Sequence, residues 1–377
     1  MPQVVRIPIT NVFSGDYTGV IQVGPNRQPM NVLLDTGSSA LAVDGKKYQP
    51  DTANGDQSTN LAQTESYGDG SSFTGAVIST TVTVGDGAAA VVLPGCSVAV
   101  AYQATDQMFG QTDGILGLAY APLDDAFELP GDTLANQFPA DQVRGGIQAT
   151  VTPYLTQLAQ SGIVSDKIAF LTRRSFIQDG PDPASDPMNQ GVMIIGGGEE
   201  STDLYQGEFQ VVKVVSDDWY STVLRSVIVG SGSPIAARLQ GPQGMPSNSI
   251  IDSGTNSLNI SPQMLSAMIA KFTPAQQRLL KQSIQDQQAV SMSDLDLSQW
   301  PVITFVMQGD AGDVRLDVSP SNYWQVNSPQ VGFAQAAITE GDPGLVILGL
   351  PLMNGYFTIF DGEADGGRGV VKFAKAR

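Results

Sequence analysis

Two short stretches hold the residue types needed for acid–base chemistry. LLDTGSSAL spans residues 33–41 and IIDSGTNSL spans 250–258; each sets two apolar residues, Asp, a hydroxyl residue, Gly and a second hydroxyl residue in the same order. An apolar pair running into Asp, hydroxyl and Gly describes a buried strand that stops at a carboxylate, with Gly permitting a tight turn. A single such turn is ordinary turn chemistry. A repeated pair is different, because related halves facing one another would bring Asp35 and Asp252 to a common cleft. Two close carboxylates hold one proton between them over an intermediate pH range. The ionised member can then deprotonate a water while the protonated member polarises a substrate carbonyl, giving direct hydrolysis without an acyl-enzyme. Backbone amides and the hydroxyls of Thr36, Ser38, Ser253 and Thr255 are the groups available to hold the carboxylates coplanar.

The remaining inventory points the same way. The chain has no His, which excludes Ser-His-Asp and Cys-His triads and ordinary His-ligated zinc. Its single cysteine, Cys96, lies in the apolar run VVLPGCSVAV and reads as a buried, inert thiol. One cysteine also forbids any intrachain disulfide. Neither metal nor cofactor is expected. With 37 acidic against 19 basic residues the net charge is −18, which would repel a phosphate backbone, so nucleic acid is not an expected partner. No run reaches the roughly 18 apolar residues that a membrane span requires. The opening MPQVVRIPITNVFSGDY lacks a basic leader, an apolar core and a small-residue cleavage site. With no disulfide to form, a cytoplasmic location is expected, and a periplasmic or secreted one only for a trimmed chain.

The elements that must position the two turns are mostly strands. A chain of 377 residues with 41 Gly and 23 Pro suggests two lobes of short strands joined by turns. Period-two alternation marks YTGVIQVG (17–24), FTGAVISTTVTVG (73–85), EFQVVKVV (208–215) and TVLRSVIVG (222–230). Helical periodicity is confined to TPYLTQLAQSG (152–162) and the stripe 261–285, which opens with Ser261 as N-cap and Pro262 at the first helical position and reads as packing. RRSFIQDGPDPASDPMNQG (173–191) reads as a long exposed loop near the chain midpoint. A second repeat, Ile115-Leu116-Gly117-Leu118 and Ile347-Leu348-Gly349-Leu350, follows the first in the same order. The halves therefore look like copies of one β-rich unit.

On these motifs the sequence resembles the pepsin family of two-lobed aspartic endopeptidases, from the strand before Asp35 to the final TIFDGEADGGRGVVKFAKA. The resemblance implies an all-β, bilobal pepsin-like acid protease fold with few short helices, two pseudo-symmetric lobes (1–195 and 196–377) and a shared interlobe sheet. In that family a DTGSS turn and a second Asp-[Ser/Thr]-Gly-Thr turn carry the catalytic aspartates, here Asp35 and Asp252. Gly37 and Gly254 complete the turns, Thr36 and Ser253 would interlock them, and Ser38 and Thr255 would hydrogen-bond the outer carboxylate oxygens. SYGDGSSFTG (66–75) resembles the hairpin flap that closes over substrate, with Tyr67 as its aromatic and Gly68 and Asp69 as backbone contacts. TDGILGLAY (112–120) matches the family's DGILGLAY, with Asp113 structural and Met108, Phe109 and Ile115 as walls of an apolar subsite. GVMIIGGGEESTDLYQGEFQVVKV (191–214) resembles the strand and crossing that lead into the second lobe.

The departures are specific. Ala42 stands where the family usually has Trp, so Tyr67 would lack its indole partner, and Leu350 stands where an acidic residue is common. Neither a stapling disulfide nor a basic pro-segment is visible, which suggests a bacterial-type member. The implied activity is hydrolysis of extended polypeptides at acidic pH, with large apolar residues flanking the cleaved bond, inhibition by statine-type transition-state mimics, and a monomeric state. A catalytically silent pepsin-like peptide binder is the alternative; the presence of both aspartates and Tyr67 argues against it. A phosphotransferase of the actin and sugar-kinase type also carries paired Asp-x-Gly loops, but that fold alternates strands with many helices.

Overall fold

Alternating burial along the strands organises the chain in the computed structural model, which describes residues 2–12, 16–129, 149–237, 241 and 245–377. Strands dominate, and the longest helix among the described residues, Pro274–Ile284, has 11 residues. The chain divides into two compact units. One comprises Met1–Ile7, Thr18–Asp166 and Ile195–Gly197, the other Pro8–Tyr17, Lys167–Ile194 and Gly198–Arg377.

In the first unit, Tyr17–Val23 pairs antiparallel with Gln28–Asp35. Gln28–Asp35 in turn runs parallel to Gly114–Gly117, with Asp35 opposite Gly117. After the turn, Leu41–Asp44 returns on the other side of Gly114–Gly117 and pairs with it antiparallel. A long hairpin, Gln57–Ser66 with Ser72–Val84, continues into Val91–Ala104, and that strand lies parallel to Leu41–Asp44. Val32, Leu34, Val77, Val98 and Leu116 fill the interior. Cys96 is fully buried, and burial pushes its thiol pKa up, as befits an inert core residue.

The second unit contains the antiparallel run Lys167–Leu171, Tyr356–Asp361, Val370–Ala376 and Tyr205–Lys213. Elsewhere in it, Ser249–Ile251 lies parallel to Val346–Leu348, and Leu258–Ile260 pairs antiparallel with that same strand. Trp300 and Trp324, both buried, meet edge to face at 5.1 Å.

Three sequence expectations are refined. The strands expected at 17–24, 73–85, 208–215 and 222–230 are found at Tyr17–Val23, Ser72–Val84, Tyr205–Lys213 and Leu224–Val229. The stripe at 261–285 is two helices, Pro262–Ile269 and Pro274–Ile284. Pro274 cannot continue a helix, and Thr273 restarts one through a capping box with Gln276. Ser261 takes the N-cap position, though its side chain makes no capping bond. The 173–191 segment is only partly exposed. Arg174, Ser175 and Asn189 are buried in it, and Arg174 donates to Phe176 O at 3.2 Å, to Gln178 and to the Val326 carbonyl. Pro- and Asp-rich composition signals irregular backbone, but an arginine bonded to main-chain oxygens can fold such backbone inward.

Candidate active site

The first Asp turn is built by the strand exchange just described. Gly114–Gly117 fits between the two strands that flank the turn, and only Gly fits at its end. A Cβ on Gly117 would sit 2.4 Å from the Ser39 carbonyl carbon and 2.6 Å from Ala40 N. The close approach lets Leu118 N donate to Asp35 O at 2.7 Å and Ala119 N to Ser38 O at 2.8 Å. Asp35 is thereby held at 6% exposure. Its Oδ1 accepts the Gly37 amide at 2.7 Å and its Oδ2 the Ser38 hydroxyl at 2.5 Å. Thr36 is fully buried.

The second turn repeats this construction in the other unit. Gly349 ends the strand between the flanking elements, and a Cβ there would lie 2.1 Å from Thr255 O. Leu350 N donates to Thr255 O at 2.8 Å. Asp252 is 7% exposed; its Oδ1 accepts the Gly254 amide at 2.8 Å and its Oδ2 the Thr255 hydroxyl at 2.5 Å. Ser253 is buried. Each carboxylate therefore has one oxygen on a backbone amide two residues on and the other on a hydroxyl three residues on. Such donors fix the plane of the group. Leu350 opens the short buried helix Leu350–Met353, so the residue that departs from the family pattern serves the core.

Tyr67 sits at the tip of the long hairpin. Its amide donates to Ser71 O at 2.9 Å, Gly70 takes a φ of 85°, and the exposed Asp69 accepts the Ser71 amide at 2.8 Å. Gly68 is exposed beside it. The Tyr67 ring leans on an apolar cluster of Ala40, Ala42, Phe73, Phe109 and Ile115, with Leu33 and Met108 at its edge. Ala42 is fully buried there, opposite Ile115. The Tyr67 hydroxyl is buried and makes no hydrogen bond of normal geometry among the described residues. Burial first, then the charges of Asp35 and Glu65, push its pKa well above the usual phenol range, against a smaller opposing effect of the Ser38 hydroxyl. The first unit thus brings Asp35, Thr36, Gly37, Ser38, Tyr67 and Ile115 into one neighbourhood, and the second does so for Asp252, Ser253, Gly254 and Thr255. Asp113 is tied into the scaffold, accepting the Asn31 amide at 2.8 Å and pairing with Lys47.

Sequence reasoning missed two carboxyls beside the hairpin strand, buried Asp124 and half-buried Glu65. Asp124 is buried, and burial, partly offset by a hydrogen bond from Gln63, pushes it up to about 7. Glu65 is raised to about 8, chiefly by burial and then by the charges of Asp124 and Asp125. Nothing in the run LAYAPLDDAFE distinguishes Asp124 from a solvated turn residue, because its burial depends on a strand some sixty residues earlier.

The comparisons with known proteins agree with this geometry. The family model for eukaryotic aspartyl protease matches residues 16–143 and 175–375. Pepsin A of Sus scrofa is 27% identical over 369 residues, covering 94% of this chain and 80% of that protein. Gastricsin of Rattus norvegicus is 26% identical over 365 residues, 93% and 79%. The vacuolar aspartic protease of Candida albicans is 35% identical over 129 residues, 30% of this chain and 29% of that protein. These relatives overturn the expected cytoplasmic location. They are pepsins, a gastricsin and a vacuolar protease, and they point to an extracellular or vacuolar setting. The expectation fails because a fold that needs no disulfide is not thereby kept out of an oxidising compartment. With most of its length matched and both Asp-Gly turns built alike, the chain belongs to the eukaryotic aspartyl protease family and is a pepsin-like aspartic-type endopeptidase.

Proposed function

We propose that Asp35 and Asp252 act as one catalytic dyad in the hydrolysis of extended polypeptides. The observation that supports this most directly is the duplicated support of the two carboxylates: amide on one oxygen, hydroxyl on the other, both groups buried. In this reading the pair shares one proton. The ionised member takes a proton from water, the water oxygen bonds to the scissile carbonyl carbon, and the protonated member donates to the carbonyl oxygen. The resulting gem-diol collapses as the amide nitrogen is protonated and the C–N bond breaks, which returns the dyad to its starting state. Thr36 and Ser253 act as supports behind the two turns.

Tyr67, Gly68 and Asp69 form the tip of a flap over the substrate, on a hairpin that exposes its glycine-rich end. The preference for large apolar side chains rests on the cluster of Phe109, Ile115, Met108 and Leu33 beside Tyr67. The protein works as a monomer whose halves, 1–195 and 196–377, supply one aspartate each. Activity is greatest in acid, where the dyad keeps its proton, and statine-type mimics inhibit stoichiometrically.

The test is Asp35→Asn and Asp252→Asn, each assayed for peptide hydrolysis between pH 2 and 8 and checked for folding by circular dichroism. Either change alone should lower kcat by on the order of 10³-fold or more. Full activity in either folded variant, or a wild-type maximum above neutrality, overturns the dyad.

A further inference from the structure

A buried hydrogen-bonded chain leads from the Asp35 turn to the Tyr67 hairpin. Leu118 N and Ala119 N donate to Asp35 O and Ser38 O, and the Ser39 hydroxyl donates to Tyr120 O at 2.6 Å. The next residues form a tight turn, Ala121–Leu123, closed by Asp124 N donating to Ala121 O at 2.9 Å. From the end of that turn the Asp124 carboxylate accepts the Gln63 side-chain amide, which also reaches Asp125 O at 3.4 Å. Gln63 belongs to the hairpin strand Gln57–Ser66, four residues before Tyr67. Both side chains are only 1% exposed.

A buried Gln–Asp pair is an expensive way to fill a β core. The desolvation of the carboxylate and amide roughly cancels what their bond returns, and apolar residues of similar volume would serve stability as well. Such a pair does fix geometry, because each polar atom must keep its one partner. One edge of the hairpin is laddered to Val91–Ala104 as far as Phe73; on its other edge Asp125–Glu128 pairs with it only at Leu61 and Ala62, before Gln63. Beyond that point on this edge, the Gln63 side chain ties the distal hairpin, among the described residues, to the segment that is itself bonded to the Asp35 turn.

We propose that Asp124 and Gln63 are positioning residues for catalysis: together they set the hairpin bearing Tyr67 at a fixed height over the turn bearing Asp35. The inference rests on the reading of Tyr67 as the flap aromatic. Neither residue touches substrate. The raised pKa of Asp124 accords with this role, because the carboxyl is held as a hydrogen-bond partner in a site that disfavours its charge.

The experiment is a double-mutant cycle on the full chain. Asp124→Ala, Gln63→Met, Tyr67→Ala and the doubles Asp124→Ala/Tyr67→Ala and Gln63→Met/Tyr67→Ala are assayed for kcat and KM, with active sites counted by a tight statine-type inhibitor. Gln63→Met keeps volume and guards against a poorly folding Asp124→Ala. Each single change is expected to lower kcat/KM about tenfold, and neither should impair the enzyme further once Tyr67 is gone. Asp124→Asn, which keeps the acceptor, should restore most of the loss. Additive effects, or wild-type kcat/KM in both Asp124→Ala and Gln63→Met, overturn the positioning role; the flap reading stands if Tyr67→Ala is itself impaired. An unimpaired Tyr67→Ala overturns both.

Discussion

The Ser38 hydroxyl lies 2.5 Å from Asp35 Oδ2, while the Gly37 amide is bonded to Oδ1. Thr255 holds the equivalent oxygen of Asp252 at the same distance. Hydrogen bonds to a charged group are worth about 1.5–3 kcal/mol, and these act on the two carboxylates proposed as the dyad. Ser38→Ala and Thr255→Ala should therefore each lower kcat by roughly 10- to 100-fold with little change in KM, because the loss falls on the plane of the carboxylate and not on substrate contacts. Steady-state kinetics on a chromogenic peptide checks this. A change confined to KM would move these hydroxyls from dyad support to substrate binding.

Much of this construction is legible in the sequence because it is local. The amide at Gly37 and the hydroxyl at Ser38 reach Asp35 within three residues, so the motif contains its own geometry. The helices are less legible. The 261–285 stripe has one continuous hydrophobic period, yet Pro274 and the Thr273 cap divide it. Least legible are contacts between distant segments, such as Gln63 with Asp124 and Arg174 with Val326, since no spacing rule connects residues that only the folded sheet brings together. The departure at Ala42 is visible as a letter in the sequence, and with it the loss of an indole partner for Tyr67. That the Tyr67 hydroxyl is nonetheless buried against an apolar cluster, with no normal hydrogen bond among the described residues, required the packing around it.

The two matching glycines give a second prediction. At Gly117 and Gly349 a methyl group would overlap backbone atoms on the inner side of each Asp turn, at 2.4 Å from Ser39 C and 2.1 Å from Thr255 O. Backbone cannot yield as a flexible side chain can, so Gly117→Ala and Gly349→Ala should each cost about 1–3 kcal/mol of stability. Each should also displace one Asp turn of the proposed dyad, so peptide hydrolysis per folded molecule should fall in both variants. Thermal melts with activity normalised to folded protein make the comparison. A variant that loses stability but keeps full specific activity would show that the turn tolerates the shift.

Titration should pull the two units in opposite directions. In the second unit Lys167 and Lys372 bridge Glu199 and Asp361, at 3.2 and 3.1 Å from Lys167 and 2.7 Å for both contacts of Lys372. Burial alone would raise Glu199, but the hydrogen bond and charge of Lys372, with the charge of Lys167, outweigh it and leave the carboxyl below its ordinary range. A depressed carboxyl contributes stability that is present above its unfolded pKa and lost as pH falls through its folded one. In the first unit Asp124 and Glu65 are raised to about 7 and about 8. Raised carboxyls contribute stability that is present below their unfolded pKa and lost as pH climbs toward those values. The first unit should therefore weaken between about pH 4 and 8, and the second in strong acid. Glu65→Gln should flatten the neutral-side loss and leave the acid side alone, while Glu199→Gln should lower stability near pH 5 and flatten the acid side. Calorimetric melts from pH 2 to 8 resolve the two limbs. A neutral-side loss unchanged in Glu65→Gln would mean that Glu65 is not among the groups whose ionisation opens the first unit.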